Sequence, residues 1–338
     1  MQQLEAFSLG KKFSVPEANE DSLVIMPNRG YAVIDGVTDR NGTRYDGMLS
    51  GQFASRAVQA AIEIFLLAQG DPQRPDLQFS GGQHFIDYLS EAIRAGYLAN
   101  GALEAAQADW KLRGGCTVMA ALILGDRLEI VAVGDSGLRI NGDDILQVLK
   151  PLDDVTAILR RETWRHFEAM GRSSLDCDRL AAAVTWQGTR HQDPDSETAD
   201  RALMATLENR ALDACRAHLP DVPDGEIEAL IHGGICYAQG DFQNVTGPVL
   251  GYGGLDGFAV PPRYVETRSY ALADVETIEL FSDGYFKPGH GFGTAAWEQA
   301  FREVEAEDPH KIGRFMSTKG TTETALTDDR TYLGVRLK

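Results

Sequence analysis

The sequence predicts an α+β fold in which antiparallel sheets pack together between helical layers, interrupted by a mainly helical insertion. Three observations carry this expectation. Short apolar, β-branched segments come in pairs joined by turn signals. Strands and helices follow one another in runs, without the regular alternation that a parallel sheet requires. Residues from about 154 to 219 shift to Ala, Arg, Glu and Leu at helical spacing.

Ser22 to Met26 and Tyr31 to Asp35 flank Pro27-Asn28-Arg29-Gly30, a turn signal between two strands, and read as a hairpin. From Leu49 to Ala68 the residues Phe53, Ala57, Ala60, Ala61, Ile64 and Phe65 recur at helical spacing, and a second helical pattern runs from about Phe85 to Trp110. Cys116 to Leu124 and Leu128 to Val133, joined by Gly125-Asp126-Arg127, form a second expected hairpin. Within 154–219 the polar gap His191 to Ser196 separates two helical patterns. After the glycine-rich passage Gly247 to Gly257, strands are expected at Arg263 to Tyr270 and Glu276 to Phe281. Two helices then follow, and Tyr332 to Leu337 closes the chain as a strand.

A hydrophobic fraction of 43% is ample for a folded core. No apolar run approaches the roughly 18 residues of a membrane span, and the start lacks the basic segment and apolar core of a secretory signal, so a soluble cytoplasmic protein without a membrane partner is expected. The net charge of −18 disfavours nucleic acid and anionic surfaces as partners. Cys116, Cys177, Cys215 and Cys236 lie far apart with no CxxC pair, which points to reduced thiols rather than a disulfide framework or a zinc site. The oligomeric state is not legible.

The chemistry resides in acidic residues beside the ends of apolar runs: Asn19-Glu20-Asp21, Val33-Ile34-Asp35-Gly36, Leu280-Phe281-Ser282-Asp283-Gly284 and Asp328-Asp329-Arg330-Thr331. A carboxylate at the tip of a buried strand is costly unless a cation meets it. Apart from Arg330 those segments supply no Lys or Arg, and hard cations such as Mg²⁺ and Mn²⁺ take oxygen ligands, so a carboxylate-built metal site is expected. Gly114-Gly115-Cys116-Thr117 and Val133-Gly134-Asp135-Ser136 stand between the second and third of these segments.

The order Asn-Glu-Asp, Asp-Gly, Gly-Asp-Ser, Ser-Asp-Gly, Asp-x-x-Thr, spread from residue 19 to residue 331, resembles the metal-dependent PPM or PP2C-type protein serine/threonine phosphatases. The resemblance implies a single domain over 1–338 with the PP2C-like four-layer α-β-β-α sandwich, in which 154–219 is a helical insertion or enlarged flap. It implies two or three Mg²⁺ or Mn²⁺ ions: Asp35 bridging, Gly36 through its carbonyl and Glu20 through water completing one, Asp283 and Asp328 holding another, and Asp135 joining Asp283 around a third. Asp35 and Asp283 are the expected catalytic pair. Metals about 3.5–4 Å apart would polarise phosphoryl oxygens and activate a water for in-line attack. The implied substrate is phosphoserine or phosphothreonine in a protein, within signalling. Asp21 and Asp329 are read as supporting residues.

The chain departs from the family's pattern at Pro16, where many relatives carry the Arg that grips the substrate phosphate. Lys11, Lys12, Arg40 and Arg44 are the candidates to replace it, and Val37-Thr38-Asp39 replaces the usual sequence after the first Asp-Gly. These departures motivate two alternatives: a catalytically weakened binding or regulatory module of the same fold, or a phosphomonoesterase of small molecules. Other readings fail. Gly134-Asp135-Ser136-Gly137 lacks the histidine context of a trypsin-like protease, no cysteine is followed six positions later by Arg, and Gly289 to Gly293 lacks the strand-then-helix setting of a nucleotide loop.

Overall fold

The computed structural model describes residues 3–39 and 41–338. In chain order the strands and helices are β1 (Gln3–Leu9), β2 (Ser22–Met26), β3 (Gly30–Gly36), β4 (Arg44–Tyr45), β5 (Met48–Leu49), α1 (Ser50–Ala68), α2 (Gly82–Ala99), α3 (Leu103–Ala108), β6 (Cys116–Leu124), β7 (Arg127–Val133), β8 (Gly137–Ile140) and β9 (Asp144–Gln147). Then come α4 (Pro151–Ala169), α5 (Ser174–Gln187), α6 (Arg201–His218), α7 (Asp224–Tyr237), β10 (Glu266–Ala271), β11 (Thr277–Phe281), α8 (Thr294–Glu307) and β12 (Arg330–Arg336). They form two compact units: Met1–Leu149 with Gly253–Arg302 and Asp328–Lys338, and Lys150–Tyr252 with Glu303–Thr327.

The first unit holds two five-stranded sheets, ordered β1-β12-β11-β8-β9 and β10-β7-β6-β3-β2, whose ladders are antiparallel. Side chains alternate across each strand, and that alternation builds the layers. On β3, Tyr31 and Val33 enter a core shared with Met119 and Ile130 of their own sheet and with Leu138, Leu280 and Leu333 of the other. Ala32 and Ile34, on the opposite face, pack with Phe53, Ile62 and Phe65 of α1 and Phe85 and Leu89 of α2. Beyond the second sheet, Phe281 and Tyr332 pack on Trp297 of α8. The result is the α-β-β-α sandwich expected from the sequence.

A buried ion pair fixes the chain after β11. The Arg139 guanidinium donates to Glu279 through Nε at 2.6 Å and Nη2 at 2.9 Å, and reaches the Gly289 and Gly291 carbonyls at 2.6 and 2.8 Å. Glu279 also accepts from Trp297 Nε1 and the Tyr332 hydroxyl, each at 2.8 Å. Every polar atom of that pair therefore has work to do in place of water.

Several elements differ from the periodicity reading. The helical pattern over 85–110 is broken into α2, α3 and a 3₁₀ turn at Trp110–Leu112. Asn100 folds its amide back on the Gly96 carbonyl at 3.0 Å, and Gly101 takes φ +64°, the left-handed residue that ends a helix. One helix, α8, follows β11 where two were expected, because Asp308 gathers the Ile312, Gly313 and Phe315 N–H groups into a turn. β1 and the hairpin β8–β9 lacked an apolar signal long enough to register. β1 is a mostly exposed edge strand paired to β12.

The second unit is helical. Val155 and Leu159 of α4, Val184 of α5, Leu207 and Ala211 of α6, and Ile227 and Leu230 of α7 share one core. Helix α6 starts on Asp200, whose carboxylate accepts from the Ala202 and Leu203 N–H groups at 2.8 and 3.3 Å. Asp200→Ala should therefore cost about 1 kcal/mol in urea unfolding, the usual loss for an N-cap; an unchanged midpoint would mean the cap is idle. Among the described residues, no helix is long and apolar enough to cross a membrane.

Candidate metal centre

The acidic motifs meet because each sits where a strand of the sandwich ends. β3 runs out at Asp35-Gly36, opposite Thr117 and Cys116 of β6. Asp135 follows the end of β7, on a backbone turned by Gly134 at φ +89°, where a Cβ would strike Thr117 at 2.4 Å. Asp283 follows β11 and Asp328-Asp329 precede β12. The Ser282 N–H donates to the Thr331 carbonyl at 3.0 Å and the Thr331 N–H to Ser282 Oγ at 2.9 Å, which holds these two segments side by side. At Gly36 a Cβ would lie 2.5 Å from the Glu20 carbonyl, so the close approach of the Glu20 segment to β3 requires glycine.

Asp35, Asp135 and Asp283, all partly buried, each offer a carboxylate oxygen, and these oxygens lie within 4.8 Å of one another. Burial drives the Asp35 carboxyl well above its ordinary range, and Asp21, Asp328 and Asp135 push the same way. Burial likewise raises Asp283, reinforced by Asp35, Asp135 and Asp328. Such crowding of like charge is relieved either by protons or by a cation. An all-carboxylate donor set suits Mg²⁺ or Mn²⁺ rather than a metal that prefers thiolate or imidazole. These three residues therefore fit a divalent cation.

Glu20 and Asp328 stand in a different environment. Lys11, from the segment after β1, is buried, and its ammonium lies 3.1 Å from Glu20 Oε2, 3.0 Å from Asp328 Oδ1 and 3.3 Å from Asp329 Oδ2. Burial opposes the charge of Lys11, but Asp328, Asp329 and Glu20 outweigh it and hold the ammonium well above its ordinary pKa. Arg330, inside the last motif segment, pairs with Glu298 at 2.8 Å, and the cation beside Glu20, Asp328 and Asp329 comes from a residue outside the motif segments. Asp329 ties the two sides together, accepting the Lys11 N–H at 2.7 Å and the Glu20 N–H at 3.1 Å. Asp21 is buried; burial, then Asp329, pushes it up to about 7, with Thr331 pulling the other way.

Of the other cations considered for a phosphate, Lys12 and Arg44 are exposed, Arg44 donating to the Gly47 carbonyl at 2.9 Å, and Arg40 lies outside the described residues. Pro16 opens a 3₁₀ turn. None of the four cysteines is in a disulfide, and burial, with Asp35, raises the Cys116 thiol well above its ordinary pKa, so it is no nucleophile.

No protein-family model matches the sequence, and no curated protein matches it. Solved structures similar to this chain include serine/threonine phosphatases. Serine/threonine phosphatase Stp1 from Staphylococcus aureus is 14% identical at a TM-score of 0.46, with 100% of this chain and 96% of that one covered. The Mycobacterium tuberculosis serine/threonine phosphatase PstP/Ppp is 20% identical at a TM-score of 0.39, covering 100% and 99%. RsbX, solved in complex with magnesium, is 10% identical at a TM-score of 0.40, covering 100% and 96%.

Proposed function

We propose that this chain is a divalent-cation-dependent phosphatase that hydrolyses phosphoserine or phosphothreonine in a protein substrate. The observation that carries the reading is the convergence of Asp35, Asp135 and Asp283 within 4.8 Å from three strand ends far apart in sequence. Asp35 and Asp283, the catalytic pair of the proposal, offer carboxylate oxygens within 4.8 Å of one another. A Mg²⁺ or Mn²⁺ ion held there would polarise a phosphoryl oxygen and lower the pKa of the attacking water. Asp135 adds the third carboxylate, and the Gly134 turn aims it. Lys11 fixes Glu20 and Asp328 in place beside the pair. Lys12 and Arg44 are the exposed cations proposed to meet the substrate phosphate.

A chromogenic phosphomonoester and a phosphoprotein, each assayed with Mn²⁺ and with EDTA, test this reading. Turnover of both should need the cation, and thiol alkylation should leave it intact. The enclosure of Lys11 among carboxylates and Pro16 at the start of its turn favour a second reading, a regulatory or binding module with weakened catalysis. Cation binding without turnover of either substrate would establish that reading and remove the first. Turnover of the small ester alone would instead mark a phosphomonoesterase of small molecules.

A further inference from the structure

Part of the acidic cluster carries an ammonium of its own. An ammonium carries three protons, and Lys11 Nζ has four acceptors around it: Thr38 Oγ1 at 2.8 Å, Asp328 Oδ1 at 3.0 Å, Glu20 Oε2 at 3.1 Å and Asp329 Oδ2 at 3.3 Å. Its side chain is 8% exposed, and its own backbone N–H is fastened to Asp329 Oδ1 at 2.7 Å. This lysine is saturated and anchored at both ends. It has no proton to spare for an incoming phosphate, and withdrawing it would leave Asp329 and Glu20, each only 2% exposed at the side chain, without their counter-charge. The group Asp35, Asp135 and Asp283 has no such ammonium within the contacts of Lys11.

The geometry points to Lys11 as a built-in cation that stands in for one divalent ion. Resting on the cation-dependent reading above, the chain binds a divalent ion at Asp35, Asp135 and Asp283, while the single ammonium of Lys11 occupies the position between Glu20, Asp328 and Asp329 and offsets one of their three charges. An ion seated on Glu20 or Asp328 would share those carboxylates with Lys11, and at Glu20, 2% exposed at the side chain, little solvent screens the repulsion between the two cations. The metal-ligand roles expected for Glu20 and Asp328 are thereby replaced by ion pairing. Lys11 becomes a positioning residue that keeps one edge of the site ordered whether or not a divalent ion is bound.

The test counts Mn²⁺ on the full chain, without substrate, by equilibrium dialysis and by electron paramagnetic resonance of the free ion. Wild type should bind one ion per chain, Lys11→Arg one, and Lys11→Gln two, because the amide vacates the charge and leaves three carboxylates uncompensated. In Asp283→Asn the single wild-type ion should be lost. Two or more ions on wild type, or a folded Lys11→Gln that still binds one, would overturn the inference while leaving the phosphatase reading standing. No ion at all on wild type would sink that reading, and the inference with it. If Lys11→Gln does not fold, the wild-type and Lys11→Arg counts still decide on the same terms.

Discussion

Asp283→Asn is expected to lower phosphomonoester turnover by about a thousandfold at saturating Mn²⁺, since losing a carboxylate from the proposed centre forfeits several kcal/mol of charge stabilisation and each ~1.4 kcal/mol is tenfold in rate. Asp35→Asn should do at least as much, because Asp21, Asp328 and Asp135 all crowd the Asp35 carboxyl. The same variants should be as stable as wild type, or more so, when unfolded by urea in EDTA. Each removes a charge from a buried group already crowded by its neighbours. Loss of activity together with loss of apo stability would mean these residues hold the fold rather than the chemistry, and near-normal turnover would place the active site elsewhere.

Asp21 should contribute to the pH dependence of the metal-free protein, together with Asp35 and Asp283. The Asp21 carboxyl titrates at about 7 in the folded chain against 3.8 ordinarily. Between those values the folded state keeps a proton that the unfolded state has released, so stability falls as pH rises through that window, the reverse of a salt-bridged carboxylate. The difference corresponds to roughly 4 kcal/mol at about pH 8 and above, compared with acid conditions below the unfolded pKa. Asp35 and Asp283 act in the same direction. Melting curves in EDTA from about pH 4 to about pH 8 should slope downward for wild type and be distinctly flatter for Asp21→Asn. A variant with the wild-type slope would show that Asp21 is ionised in the folded protein at neutral pH.

The helical stretch shows how far composition can go. A shift in residue usage marked 154–219, but the helices run on: Ile227 and Leu230 of α7 share their core with Leu207 of α6 and Val155 of α4, and Met316, from much later in the chain, packs there too. Excising 154–219 alone would strip α7 of its partners. Periodicity finds a helix by its apolar face, and it cannot say which distant segments that face will meet. The broken helix after α2 has a similar cause, because Asn100-Gly101 is a local stop signal inside a pattern that otherwise continues.

By itself, the sequence specified the paired apolar segments and turn signals of antiparallel sheets between helices, and the acidic residues at the strand ends. Both are local properties: an apolar segment bounded by turn residues, and a carboxylate beside a turn, need no knowledge of partners. The folded arrangement brings some of those carboxylates together and places a lysine beside others. Asp35, Asp135 and Asp283 converge, whereas Glu20, Asp328 and Asp329 surround Lys11, which is 317 positions from Asp328 along the chain. Electrostatic pairing depends on distance in space and on exclusion of water, neither of which sequence separation encodes. A lysine that reads as a free cation beside the first motif is therefore, in the folded molecule, the counter-ion of half the cluster.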